Sequence, residues 1–322
     1  SPVGPSIEGK VSLGNDIKPV RMRVAEFTGG QITERRTDYI PGGVSKLDPT
    51  KSIWLVVHGM NDSENGMNIL AKALKDNSHS GGQVVTIDWH EIANTITTKD
   101  APWTKPVGLW IAGTLLSIGF TPDKINIVGH SHGTYIAYAL SLEVTQQTST
   151  PVNSIIALDP AGNVPTLSGF NLGAMNFREV ARNSLAIEGS WMAGNNSLAS
   201  TAHKALQIDT GYASLPFEIP KEHSMPVYAL VNLIRQDMIQ GNLPNWLTLE
   251  QLMTPAIDQR ERIEENTEGQ YEGIIKAIVS TRIDPFTGKE YYDALPTSVS
   301  ATPQSALSKR TWDVVNPDMS IH

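Results

Sequence analysis

The 322-residue chain contains no cysteine, which removes disulfide scaffolds, thiolate catalysis and cysteine-based zinc sites. The same absence says little about compartment, because a large domain can be secreted without disulfides. No apolar run approaches the ~18 residues that a membrane-crossing helix needs, so no transmembrane segment is predicted. Positive charge is short as well. There are 25 Lys and Arg against 33 Asp and Glu, a net charge of −8, which argues against nucleic-acid partners and against capture by anionic membrane surfaces. Internal repeats and phosphate-binding glycine loops are missing too. The opening Ser1-Pro2-Val3 has neither an initiator methionine nor a charged-then-apolar leader, so the chain is expected to be a processed or excised segment. The composition that remains, 40% hydrophobic and 18% charged, suffices for a sizeable core in one large α/β domain or two small ones.

The most informative stretch runs from Ile125 to Gly133, an apolar run that ends in Gly129-His130-Ser131-His132-Gly133 and passes into a helix-forming segment. G-x-S-x-G between a strand and a helix is the nucleophile elbow of a serine hydrolase. The sharp turn holds the serine in a strained conformation, and glycines two positions to either side let the flanking chains pass closely. Ser131 is then exposed. The helix after it, rich in Ala, Leu, Tyr and Ile through Leu142, directs its positive N-terminal end at the place where negative charge would develop.

Taken in order, residues 1–18 are rich in Gly, Pro, Ser and Lys and are predicted to form an arm. The alternation Val20, Met22, Val24, with the segment Thr33 to Ile40, predicts an antiparallel strand pair closed by Pro41-Gly42-Gly43. Ile53 to Val57 is a continuous apolar run of the kind buried on both faces of a parallel sheet, and it leads into His58-Gly59-Met60. A helix is predicted over 64–76, a strand over 84–87 ending at Asp88-Trp89, and a helix over 103–118 stopped by Gly119 and Pro122. Strand and helix alternating at this spacing predict a parallel sheet with crossovers.

Beyond the elbow helix, Ser154 to Leu158 is a short apolar run ending in Asp159-Pro160-Ala161-Gly162, and Ala205 to Ile208 ends in Asp209. Either acid stands at the carboxyl end of a strand. In the α/β-hydrolase order of serine, acid, histidine, only His203, His223 and His322 of the eight histidines follow Asp159. His203 begins an apparent strand and His322 is the last residue. His223, in a predicted loop before a helix from Pro226 to Ile239, is the candidate base.

These residues resemble the pancreatic-lipase family of α/β-hydrolases, from about Ile53 to Val231. The match runs through His58-Gly59, Val85 to Trp89, the elbow, Leu158 to Gly162, and His223-Ser224 with Tyr228. The resemblance implies that Asp159 rather than Asp209 is the triad acid. It also implies that Met60 and His132 supply the backbone N–H groups of an oxyanion hole; a secreted and a cytoplasmic location both stay open, with the resemblance leaning to the secreted one. Ser131 would attack an acyl carbonyl, His223 would carry the proton to the leaving alcohol, and Asp159 would fix the imidazole tautomer. No cofactor and no metal is expected, and the partner is a small-molecule or lipid acyl ester.

Some features depart from that family. Its animal members use disulfides, one of which closes a lid, and they carry a long flap before the histidine, whereas only twelve residues, 211–222, separate Thr210 from His223 here. The segment Asn163 to Ala202 is either a wall over the site or an ordinary surface excursion. It holds only Glu179 and Glu188 as acids, too few for the family's calcium site. From Thr248 on the resemblance ends. Leu249, Leu252, Met253, Ile257, Ile263 and Ile274 to Val279 predict one or two amphipathic helices, with Arg260 to Glu265 as a solvated face. Ala294 to Ala306 predicts an extended Ser, Thr and Pro-rich tail.

The expected protein is therefore a catalytic domain over 1–247, a mostly parallel sheet with helices on both faces. A helical extension over 248–322 would pack on the same domain. Its expected function is that of a serine carboxylic-ester hydrolase on lipid-like or short to medium-chain esters. Phospholipase A1, thioesterase and amidase chemistry share the triad, and a non-catalytic lipid-binding protein is the rival of another class.

Overall fold

The computed structural model describes residues 6–27, 47–59, 62, 64–78, 82–94, 98–161, 175–189, 196–199, 201–210, 219–237, 247–255 and 271–303. In chain order the elements are β1 (Ser6–Leu13), β2 (Asp16–Val24), β3 (Ile53–Val57), α1 (Asn68–Asn77), β4 (Gln83–Asp88), α2 (His90–Ala93), α3 (Thr104–Ile118), β5 (Ile125–His130), α4 (Gly133–Thr148) and β6 (Val152–Leu158). They continue with α5 (Phe177–Val180), β7 (Ala181–Glu188), α6 (Asn196–Ala199), β8 (Lys204–Asp209), α7 (Ile219–Arg235), α8 (Leu249–Met253), β9 (Tyr271–Ile283) and β10 (Glu290–Pro303). One sheet takes the ten strands in the order β1-β2-β4-β3-β5-β6-β7-β8-β9-β10. From β4 to β9 every pair is parallel, and antiparallel pairs close both edges.

The central strands are apolar throughout because they are covered on both faces, and the period of two sorts their side chains between two cores. Ile53, Leu55, Val57, Ile125, Ile127, Ile155 and Ala157 face the core built with α3 and α4. Trp54, Val56, Val128, Ile156 and Leu158 face the core built with α1 and α7. The α3–α4 contact is close enough that a Cβ on Gly108 would lie 2.6 Å from Ala139 Cβ and 2.8 Å from Leu140 N. Gly119 ends α3 at φ +109°, the left-handed cap glycine accepts readily.

Four expectations change. Residues 6–13 of the predicted arm form an edge strand instead, paired in register with β2 from Ser6 opposite Arg23 to Leu13 opposite Asp16. Its Gly9 lies flat against Trp110 of α3, where a Cβ would come within 2.3 Å of the ring. The partner predicted for β2, Thr33 to Ile40, lies outside the described residues.

The second change falls inside Asn163 to Ala202, where residues 181–188 form a central parallel strand between β6 and β8. Arg182, Asn183 and Ser184 hid it from a hydrophobicity pattern. Asn183 donates to the Gln251 carbonyl at 2.9 Å, and Ser184 bonds His203 at 2.7 Å, so the polar groups are satisfied by partners distant in sequence.

Third, Ile274 to Val279 is not helical. It lies in β9, and β9 with β10 forms an antiparallel hairpin that continues the sheet from β8. Ile275 and Ala277 are buried while Lys276 and Ile278 are exposed, an alternation of two rather than 3.6, as β-branched residues favour. Helix in the predicted extension is confined, among the described residues, to α8. Finally, α7 begins at Ile219, so His223 stands on a helix rather than in a loop.

Candidate active site

The elbow forms where β5 ends. Ser131 has φ +56°, a left-handed conformation uncommon for a residue with a side chain, and its N–H donates to the Leu158 carbonyl at 3.0 Å. Both flanking glycines are required by contact. A Cβ on Gly133 would lie 2.5 Å from the His58 carbonyl oxygen and 2.6 Å from that of Val57, and one on Gly129 would lie 2.6 Å from the Gly133 carbonyl oxygen. All of these obstacles are backbone. The Ser131 carbonyl accepts the Thr134 N–H at 3.1 Å and the Thr134 hydroxyl at 2.7 Å. In a trans peptide the next N–H points the opposite way, so the His132 N–H projects out of the N-terminal end of α4. Met60, the other expected oxyanion donor, lies outside the described residues.

Asp159 follows β6 with its carboxylate fully buried and φ +43°. Its N–H donates to the Ile187 carbonyl at 2.8 Å, and its Oδ1 accepts the Gly189 N–H at 2.9 Å, so the strand unseen in the sequence helps hold the acid. Oδ2 accepts from Nδ1 of His223, which is 16% exposed. That bond places the proton on Nδ1 and leaves Nε2 with its lone pair. Asp209 is exposed at the end of β8, and His203 is buried against Ser184. Among the described residues no hydrogen bond joins Ser131 to His223. They are linked through His130, whose ring centroid lies 4.8 Å from that of His223 and whose Nε2–H donates to the His223 carbonyl at 2.8 Å.

Burial, and next the neighbouring His223, lowers the His130 pKa to about 3, so this ring is neutral at ordinary pH. Burial likewise lowers that of His58. The His58 Nδ1–H donates to the Gly59 carbonyl at 2.9 Å, and Nε2 accepts the Trp89 N–H at 3.2 Å. The Trp89 indole N–H returns a bond to the His58 carbonyl at 2.9 Å, joining the ends of β3 and β4 beside the elbow. Sequence reasoning missed Asp100, whose Oδ2 accepts from Nδ1 of His132 at 2.7 Å. Nothing local to residue 100 signals that bond. Among the described residues no group of three potential metal ligands occurs.

A sequence model of the lipase family matches residues 28–168, a span that contains Ser131 and Asp159 and ends before His223. No curated protein sequence matches the chain. Among solved structures the chain is similar to an arylesterase, with a TM-score of 0.33 and 14% identity over 58% of this chain and 67% of that one. It is also similar to a thermophilic carboxylesterase cloned from a metagenomic library, at 0.30 and 17% over 50% and 49%. A third is an esterase of Pyrobaculum calidifontis, at 0.34 and 14% over 58% and 67%. The matches thus cover between about half and two thirds of those solved chains. The lipase pattern falls on the strands and turns that build the elbow, and over residues 28–168 the chain is similar to the lipase family.

Proposed function

We propose that this ester hydrolase acts through Ser131, His223 and Asp159 by way of an acyl-enzyme. Ser131 Oγ attacks the acyl carbonyl and passes its proton to His223 Nε2, which returns it to the departing alcohol. Water then repeats the sequence on the acyl-enzyme. Asp159 keeps the imidazole in the productive tautomer and stabilises the imidazolium. The backbone N–H groups of His132 and Met60 are the oxyanion donors, each worth roughly 3 to 4 kcal/mol in such sites. The observation that carries this reading is the Asp159–His223 bond, set beside a serine at positive φ. A serine–histidine bond commonly tightens only when substrate is bound.

The test is mass labelling with a fluorophosphonate. The wild-type protein is expected to gain one adduct on Ser131, whereas folded Ser131→Ala gains none and loses ester hydrolysis. Hydrolysis persisting in that variant would sink the assignment. A wild-type protein that binds esters but neither labels nor hydrolyses them would be a binding protein on a lipase scaffold.

For substrate, we favour soluble short or medium-chain esters. Only residues 211–222 link Thr210 to His223, and α7 already takes up the last of them, which leaves little chain on that edge for a flap.

A further inference from the structure

We infer that Asp100 is a positioning residue for the oxyanion hole, acting through the His132 side chain, an inference that rests on the serine-hydrolase reading above. Asp100 stands at the entry to α3 with none of its surface exposed, and His132 is 2% exposed. Within the core, the carboxylate Oδ2 accepts from His132 Nδ1, while Oδ1 is buried without a hydrogen-bond partner among the described residues. A buried carboxylate with one oxygen unmet is costly, and a pair of apolar residues of similar size would commonly fold as well or better. Stability alone therefore does not account for the pair.

Its place in the fold does. The peptide between Ser131 and His132 carries the proposed oxyanion N–H, and its carbonyl end is fixed by the two bonds from Thr134. The far end of that peptide is the Cα of His132, whose side chain is tied to Asp100. Asp100 in turn belongs to the rigid α3–α4 unit, because Thr104 at the start of α3 donates its hydroxyl to the Ala101 carbonyl at 2.8 Å and Gly108 sits against α4. With both ends held, the N–H has one direction. An oxyanion donor acts only if it is aimed at the oxygen as charge develops, so a loosened peptide weakens transition-state binding more than substrate binding.

The test compares Asp100→Leu with Asp100→Asn by kcat and KM on a soluble p-nitrophenyl ester, each normalised to sites titrated with fluorophosphonate. Asp100→Leu fills the space but offers no acceptor. Its kcat is expected to fall about tenfold or more, short of the ~10²–10³-fold loss of a whole donor, with KM nearly unchanged. Asparagine keeps an acceptor for Nδ1–H and is expected to retain most of kcat. If Asp100→Leu does not fold, Asp100→Asn combined with His132→Leu removes the tether without leaving a buried charge, and the same fall is expected. Wild-type kcat per titrated site in the tether-less protein overturns the inference, as does an equal loss in the asparagine variant. A structural role alone would lower the melting temperature and leave kcat per site intact. Failure of the wild-type protein to label would instead sink the underlying serine-hydrolase reading.

Discussion

Asp159 shows how much a single residue is asked to do: its backbone takes φ +43°, one oxygen accepts from Gly189, and the other accepts from His223. Aspartate tolerates that backbone region better than most residues. Asp159→Asn can keep the Gly189 bond yet loses the carboxylate that fixes the imidazole tautomer, so turnover is expected to fall by about 10⁴-fold. Asp209→Asn, at an exposed strand end, should cost far less, and steady-state kinetics on both variants separates the two. His130 titrates rather than reacts. Unfolded, it takes up a proton near pH 6.5, but folded it does so only near 3. Between those values the unfolded state holds the extra proton, so stability is lost as pH falls through that window, by about 1.4 kcal/mol per pH unit from this group. Denaturant unfolding of His130→Gln between pH 6 and 4 should therefore show a shallower decline than wild type. An unchanged slope would mean that the ring already ionises in the folded protein.

Within one helix, α3, two glycines have opposite roles. Gly108 touches α4, and a methyl there meets Leu140 N at 2.8 Å and the Ile136 carbonyl at 3.0 Å, whereas nothing lies within 4 Å of a methyl on Gly113. Gly108→Ala is expected to destabilise by about 1 to 3 kcal/mol, as overpacking does. Gly113→Ala should stabilise by about 0.5 to 1 kcal/mol through helix propensity alone. Thermal melts of the two single variants check the pair. The hairpin of β9 and β10 teaches the same lesson at the sheet edge. Ile274-Ile275-Lys276-Ala277-Ile278-Val279 contains enough apolar residues to fit a helical stripe, and only its pairing with β8 and β10 decides for the period of two.

For the whole molecule, the net charge of −8 adds no attraction to anionic interfaces. Within the segment Asn163 to Ala202, read as either a wall over the site or a surface excursion, residues 181–188 are a sheet strand. Rate measured against tributyrin concentration across its solubility limit is therefore expected to rise smoothly, without a jump as droplets form, and to be indifferent to calcium chelation. An abrupt rise would place a lid over the site.

Apolar runs and fixed spacings in the sequence already place the parallel strands β3, β4, β5, β6 and β8 and the elbow with its glycines, and the chain itself puts Ser131, Asp159 and His223 in that order. Each of these is written locally, as an apolar run or a fixed spacing that few folds can use otherwise. Only the tertiary structure decided the strand over 181–188, the edge strand over 6–13 and the closing hairpin. It alone also decided the His130 bond to the His223 carbonyl and the tie from Asp100 to His132. The physical reason is common to all of them. A polar residue can be buried, and an ambiguous run can become a strand, only when a partner distant in the chain meets its hydrogen bonds, and no local pattern records who that partner is.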